Sequence, residues 1–180
     1  DLASLFCKLS VYGGMASIAG ASLFLVLYSD NRRQTVMPVL YYGLFGALLG
    51  FQGAAFNFPV QIGSINSSGL AGMMDWSMGK ILLDTQLGDV TLYRLLGFAA
   101  AAAVCSYYLA KTSRLNQAPR ALFFRPMFSA NALVLMVLAL SFLLTGHVSV
   151  LSDWFRFSLA LHVIAFAFWI GLLWPFMVLA

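Results

Sequence analysis

The sequence is poor in charge and contains no glutamate. Charged residues make up only 9% of its 180 residues, against roughly 25% in a soluble globular domain, and all six acids are aspartates. The P-loop, the Rossmann glycine fingerprint, CxxC, HExxH and the nucleophile elbow are also absent. These absences argue against hydrolytic and phosphoryl-transfer chemistry, and we expect no enzymatic activity.

Cysteine is scarce as well. Cys7 and Cys105 fall in different apolar runs, where we expect them to lie at different depths and not to pair. We interpret both as small buried hydrophobic residues.

Long apolar runs dominate what is present. Hydrophobic residues make up 62% of the chain, and its runs approach the length of about 20 residues that spans a bilayer as a helix. The predicted fold is all-α, a single polytopic transmembrane helical domain over residues 1–180. The five membrane segments are predicted at about residues 2–28, 37–58, 91–110, 127–147 and 154–178. Residues 59–90 form the predicted outer loop, in which 73–87 is predicted as a short interfacial helix.

The distribution of basic residues sets the orientation. The loops at 29–35 and 111–125 hold six of the ten Lys and Arg residues, so the positive-inside rule puts both in the cytoplasm. The N-terminus, residues 59–90 and the loop after His147 are then outside. Because the basic residues cluster at the ends of apolar runs, we expect the bilayer as the partner and no nucleic acid. In a Gram-negative bacterium this outer side, with the N-terminus, would face the periplasm.

The only two histidines, His147 and His162, flank one short predicted outer loop. An ionisable side chain in a bilayer is costly and is by default a functional-site candidate, and histidine is the commonest metal ligand. The two rings can share one site or form two stations on one path. The alternatives are a solvated helix end for His147 and a structural hydrogen bond to a neighbouring helix for His162.

Methionine gives a second signal in the predicted outer loop. Met73, Met74 and Met78 lie there, and the last two are one helical turn apart. Thioethers select Cu(I), and imidazole also suits copper, whereas zinc prefers thiolate, imidazole and carboxylate. The pattern therefore favours copper, as Cu(I) more than Cu(II). The alternative is that these methionines fill apolar gaps.

Several other polar residues lie in apolar surroundings. Gln52 and Asn57 fall in the outer half of the second segment, where they are predicted to line a path with His162. Small residues are dense on the first segment and at Gly46 and Gly50, a spacing that lets membrane helices approach closely.

Two arginines lie just inside predicted membrane segments. Arg94 has Asp84 and Asp89 nearby in sequence, and Arg156 follows Asp153. We interpret them as outer-interface ion pairs or as snorkelling residues.

Taken in order, several pieces of the chain resemble the bacterial copper resistance protein D family (CopD/PcoD) of inner-membrane proteins. The pieces are Gln52-Gly53, Trp76 followed by 81–88 and Arg94, Gly146-His147, and Leu161-His162 followed by Phe168-Trp169-Ile-Gly171-Leu-Leu-Trp-Pro175. The last piece, similar to the family's His-x(6)-Trp-x-Gly helix, is the most specific.

The resemblance implies copper movement across the inner membrane beside a periplasmic copper-binding partner of the CopC type. By position it makes His147 and His162 the metal residues, with Trp169 and Gly171 shaping the helix. The family often has Gly-Gly after the Trp, where this chain has Gly171-Leu172. Family members have about eight membrane helices, so we expect further segments after Ala180. A homo-oligomer is compatible with this interpretation.

The leading hypothesis is therefore a membrane protein that moves or handles copper between periplasm and cytoplasm. One rival is a b-type membrane cytochrome, with His147 and His162 as axial haem ligands at matched depth. Another is a non-catalytic membrane scaffold for a periplasmic copper-binding partner.

Overall fold

The structure, a computed structural model, describes residues 2–29, 32–117, 119–144 and 152–179. In these ranges the helices are α1 (Leu2–Tyr28), α2 (Arg33–Ile65), α3 (Gly69–Gly72), α4 (Trp76–Leu83), α5 (Gln86–Ser113), α6 (Arg125–Leu143) and α7 (Asp153–Leu179). A 3₁₀ turn, Ala121–Phe124, leads directly into α6.

Five of these elements are long and apolar enough to cross a membrane, namely α1, α2, α5, α6 with its 3₁₀ turn, and α7. The chain is therefore a multi-pass membrane protein, embedded in a lipid bilayer. The predicted all-α bundle of about five membrane helices with a short additional outer helix is confirmed, and α4 is that short helix.

Helix α1 lies at the centre of the bundle. It packs against α2, α6 and α7, and most of its middle third is buried. Its buried positions are mostly small side chains: Gly14, Ala16, Ser17, Ala19, Gly20, Ala21 and Ser22. Lipid provides no hydrophobic drive for helices to associate, so close backbone approach through small residues supplies the packing energy.

The closest approach of α1 to α2 runs through glycine on both helices. A Cβ placed on Gly14 would lie 2.6 Å from the carbonyl oxygen of Gly46 and 2.8 Å from the Cα of Gly50. One turn along, a Cβ on Gly46 would overlap the side chain of Ser17. The predicted small-residue faces are therefore the ones that meet.

The helix boundaries differ most from the predicted ones in residues 59–90. Helix α2 passes through Pro59 to Ile65 instead of ending near Phe58. Pro59 offers no N–H to the carbonyl of Ala55, but membrane helices tolerate proline because neighbouring groups and local adjustments satisfy the freed backbone. Most of the predicted loop is consequently helical.

Helix α5 begins at Gln86, ahead of the predicted start near residue 91. Its N-cap is Thr85, whose hydroxyl accepts a hydrogen bond from the backbone N–H of Leu87 at 3.3 Å. A threonine cap satisfies one of the orphan donors of the first helical turn and so fixes where the helix begins.

The two basic loops meet at one end of the bundle. The Arg33 guanidinium donates to the carbonyl oxygens of Ser113 and Leu115 at 3.0 and 3.3 Å, and Ser29 donates to that of Pro119 at 2.9 Å. Arg33 thereby satisfies orphan carbonyls at the C-terminus of α5, where a cation is also favoured by the helix dipole.

The glycine contact between α1 and α2 gives a direct test with adjacent residues. Gly14→Ala should lower the free energy of unfolding by about 1–3 kcal/mol, because the new methyl group must displace backbone of α2. Gly13→Ala is the matched control, since a Cβ there meets nothing within 4 Å. Thermal unfolding of both variants in the same detergent measures the difference. Equal stability of the two would contradict this packing.

Candidate metal and ligand sites

Helix α7 packs on α1 with a stripe of residues spaced by four. The buried positions at this spacing are Val163, Ala167, Gly171 and Pro175. At Gly171 the two backbones are so close that a Cβ would overlap the carbonyl of Ala16, and a Cβ on Gly20 would overlap the backbone of Gly171. Gly171 thus lies where α7 crosses α1.

The carbonyl oxygen of Gly171 accepts no backbone hydrogen bond from the residue four positions later in α7. Pro175, four residues later, lies inside α7 and has no N–H to donate to that oxygen. The Tyr42 hydroxyl of α2 donates to it instead at 3.3 Å, and the Tyr42 ring stacks on Trp174 with centroids 4.5 Å apart. Sequence reasoning missed Tyr42, because the spacing Gly171–Pro175 identifies the orphan carbonyl but not its donor.

His162 lies on the opposite side of α7 from the α1 contact. It is exposed, like Trp169 two turns later, which is 69% exposed. It lies roughly 14 Å along the helix from Asp153, close to half the thickness of a hydrocarbon core of about 30 Å. No hydrogen bond from another described residue satisfies its imidazole, so the structural hydrogen bond weighed above is not formed within that part of the chain. The second predicted histidine, His147, lies outside the described residues.

The methionine segment forms a capped outer hairpin. Asp75 is the N-cap of α4, and its carboxylate accepts hydrogen bonds from the backbone N–H groups of Ser77 and Met78, both at 3.1 Å. Asn66 at the end of α2 donates to the other carboxylate oxygen at 3.0 Å. Hydrogen bonding, first from the Ser77 hydroxyl and then from the Met78 amide, lowers the pKa of Asp75 below its ordinary 3.8. The cap is therefore ionised and formed at neutral pH, and is lost only as the pH falls through that lowered pKa.

Two of the three predicted methionines share a small cavity. Met73 and Met74 line an apolar space of about 250 Å³ between α2 and α4, together with Phe58 and Ile62. Met78 does not line it, and Met74 is 76% exposed. The described residues contain no group of three His, Cys, Asp or Glu side chains that could hold a metal ion.

A larger cavity with several polar side chains in its wall opens at the end of the bundle that carries α4. It measures about 430 Å³ and is lined from α1, α2, α5, α6 and α7. Asn57 lines it, whereas Gln52 is exposed on the outside of the described bundle. Leu159 and Val163 bring α7 to the cavity, but His162 does not line it. Of the predicted path residues that the structure describes, Asn57 alone faces this space.

Arg94 lies in the wall of that cavity and is only 9% exposed. Its Nε donates to the Ser141 hydroxyl at 3.0 Å, and its guanidinium lies 4.4 Å from the centroid of the Phe142 ring. Of the two interpretations of Arg94, an ion pair or a snorkelling residue, the ion pair with Asp84 or Asp89 is wrong, since neither carboxylate lies within ion-pair distance of it. The two aspartates flank the start of α5, whereas Arg94, two turns into the helix, is turned toward α6.

The second predicted outer ion pair does form. Arg156 and Asp153 are 3.4 Å apart on the first turn of α7. The pair is partly exposed and spans three residues of one helix, so it contributes little to stability.

The fold is that of a multi-pass α-helical membrane protein, and a comparison with protein families identifies its family. The family described as copper resistance protein D-like, N-terminal domain, matches residues 1–156. The chain therefore belongs to the copper resistance protein D-like family, as the resemblance predicted. No curated protein and no solved structure matches the chain. The match ends before His162, Trp169 and Gly171, so the roles of these residues stay predictions.

The Tyr42 contact provides a test of how α7 is held. Tyr42→Phe should lower the free energy of unfolding by about 1 kcal/mol, because the Gly171 carbonyl loses its donor while the ring stack on Trp174 is kept. Tyr41→Phe is the matched control, since the neighbouring ring is exposed. Unfolding of the two variants in one detergent measures the cost, and an equal stability would contradict the proposed rescue of the carbonyl.

Proposed function

We propose that this protein moves copper ions between the periplasm and the cytoplasm of a bacterial inner membrane, without catalysing a chemical reaction. The observation that carries the proposal is membership of a copper resistance family over residues 1–156, in a chain with five helices able to span a membrane.

His162 is the residue on which the proposal depends most. Charged or ionisable side chains within membrane segments rarely face lipid without a partner. An exposed imidazole with no hydrogen bond from the described residues is available to a metal, and a neutral imidazole nitrogen is a good copper ligand. The proposed role of His147 is to provide a second nitrogen, at the same site or one step earlier on the path.

The outer methionines are proposed as the entry point. Met74 is well exposed beside the capped start of α4, where a thioether can accept Cu(I) from the periplasmic side. Cu(I) is the proposed cargo, because thioether sulfur binds Cu(I) in preference to Cu(II).

Electrostatics argue against the large outer cavity as the copper route. Lys8 and Arg94 both line it, and no described lining residue is acidic. A single cation about 6 Å from Cu⁺ costs about 3 kcal/mol at an effective dielectric constant of about 20. The proposed route therefore follows the outward side of α7, where His162 and Trp169 lie.

The proposed topology puts the N-terminus and α4 in the periplasm, with the Arg33 end of the bundle in the cytoplasm. That arrangement would present the methionines to a periplasmic copper-binding protein of the CopC type. A homo-oligomer is compatible with the exposed side of α7.

A Cu(I) competition titration on detergent-purified protein tests the site. We expect His162→Ala to weaken binding at least tenfold, and a combined Met73→Leu, Met74→Leu, Met78→Leu variant to weaken it less, since imidazole is the proposed central ligand. Gln86→Ala is the matched control, being a polar and exposed position on another helix with no proposed role in the copper path.

An unchanged affinity in both His162→Ala and His147→Ala would overturn the histidine site. The optical spectrum separates the rivals: a Soret band with no copper binding would indicate a b-type haem protein. A colourless protein that binds no copper would instead indicate a scaffold for a periplasmic partner.

A further inference from the structure

The large outer cavity carries an excess of positive charge. Lys8 of α1 and Arg94 of α5 line it, while none of the described residues in its wall is acidic. Arg94 is nine-tenths buried and about 12 Å below the start of α5. Removing a guanidinium from water is costly unless it gains a negative partner, so such a partner is expected here.

The contacts that Arg94 makes leave most of its N–H donors without a partner among the described residues. Its Nε donates to Ser141, and the Phe142 ring, which itself stacks on Tyr12 with centroids 5.0 Å apart, fixes the plane of the guanidinium. No described acceptor takes a hydrogen bond from its two terminal nitrogens. These nitrogens form the fork that matches two oxygens of a carboxylate or phosphate.

Other polar groups converge on the same space. The Oδ1 atom of Asn57 is buried and has no partner among the described residues. Gln61, one turn further along α2, also lines the cavity. Because the two ends of an amide are interchangeable in orientation, Asn57 can turn its NH₂ group toward an anion.

The cavity adjoins a second space at the outer end of the bundle. Lys8 and Gln61 line both spaces, and the second one, also about 430 Å³, adds the hydroxyls of Ser4 and Ser64. Lys8 is exposed, so a cation and polar groups stand at the mouth while Arg94 lies deeper. This order of charges would draw an anion inward.

We propose that this cavity binds an oxyanion, held in bidentate fashion by Arg94 and assisted by Lys8 and Asn57. The oxyanion is a carboxylate or phosphate group, supplied either by a small soluble anion of the outer compartment or by a lipid headgroup. The site is distinct from the proposed copper residues and does not rest on the copper function.

Calorimetric titration with oxalate tests the proposal, using the full chain in phosphatidylcholine nanodiscs and a buffer free of other oxyanions. We expect saturable binding that is at least tenfold weaker in Arg94→Gln. Arg94→Lys should also bind more weakly, because it keeps the charge and loses the fork. Arg156→Gln is the matched control: this arginine lies at the same end of the bundle but lines a different cavity. Its oxalate affinity should equal that of the native chain.

Lys8→Gln keeps the test decisive if Arg94→Gln does not fold. Lys8 is exposed, so its removal should leave the melting temperature unchanged while weakening oxalate binding several-fold. Equal affinity of the native chain and of the folded Arg94 and Lys8 variants would overturn the proposal.

Nanodiscs that contain phosphatidylglycerol distinguish the two sources. If oxalate still binds in these nanodiscs, the natural ligand is a soluble anion. If phosphatidylglycerol displaces oxalate, and the native chain retains this lipid while Arg94→Gln does not, the ligand is a lipid phosphate. Absence of oxalate binding in both membranes, with equal lipid retention by the two chains, would refute an oxyanion site.

Discussion

The bundle depends on the backbone of α1 coming into direct contact with that of two neighbours. Gly14 meets Gly46 and Gly50 on one side, and Gly20 meets Gly171 on the other. Because lipid and protein interior are equally apolar, these close approaches supply the attraction that apolar burial supplies in water. They also determine the orientation of α7: with its small-residue stripe against α1, His162 and Trp169 must lie on its outer side.

That orientation places two kinds of side-chain chemistry on different surfaces of the protein. The interior cavity holds Lys8 and Arg94, whose charges suit an anion and oppose a metal cation. The groups that suit a soft cation, the imidazole of His162 and the thioether of Met74, are exposed at the outside of the bundle. The proposed cation and anion sites would therefore lie on separate surfaces of one membrane domain.

The sequence predicted the helices and small-residue faces well, because long apolar runs and glycine spacing depend only on local pattern. It could not predict that α2 continues past Pro59, since that depends on neighbours satisfying the freed backbone. It paired Arg94 with Asp84 or Asp89 by proximity along the chain, whereas the partners, Ser141 and Phe142, come from α6. Interhelical contacts of this kind join residues that are far apart in the sequence, so local sequence patterns do not reveal them.

The central functional claim is that imidazole binds copper in this family member. Copper K-edge X-ray absorption on the Cu(I)-loaded chain tests it most directly, because imidazole rings bound to copper give a distinctive multiple-scattering pattern. The account predicts imidazole nitrogen in the native copper shell and its reduction or loss in His162→Ala. A shell without imidazole, or one that the substitution leaves unchanged, would contradict it.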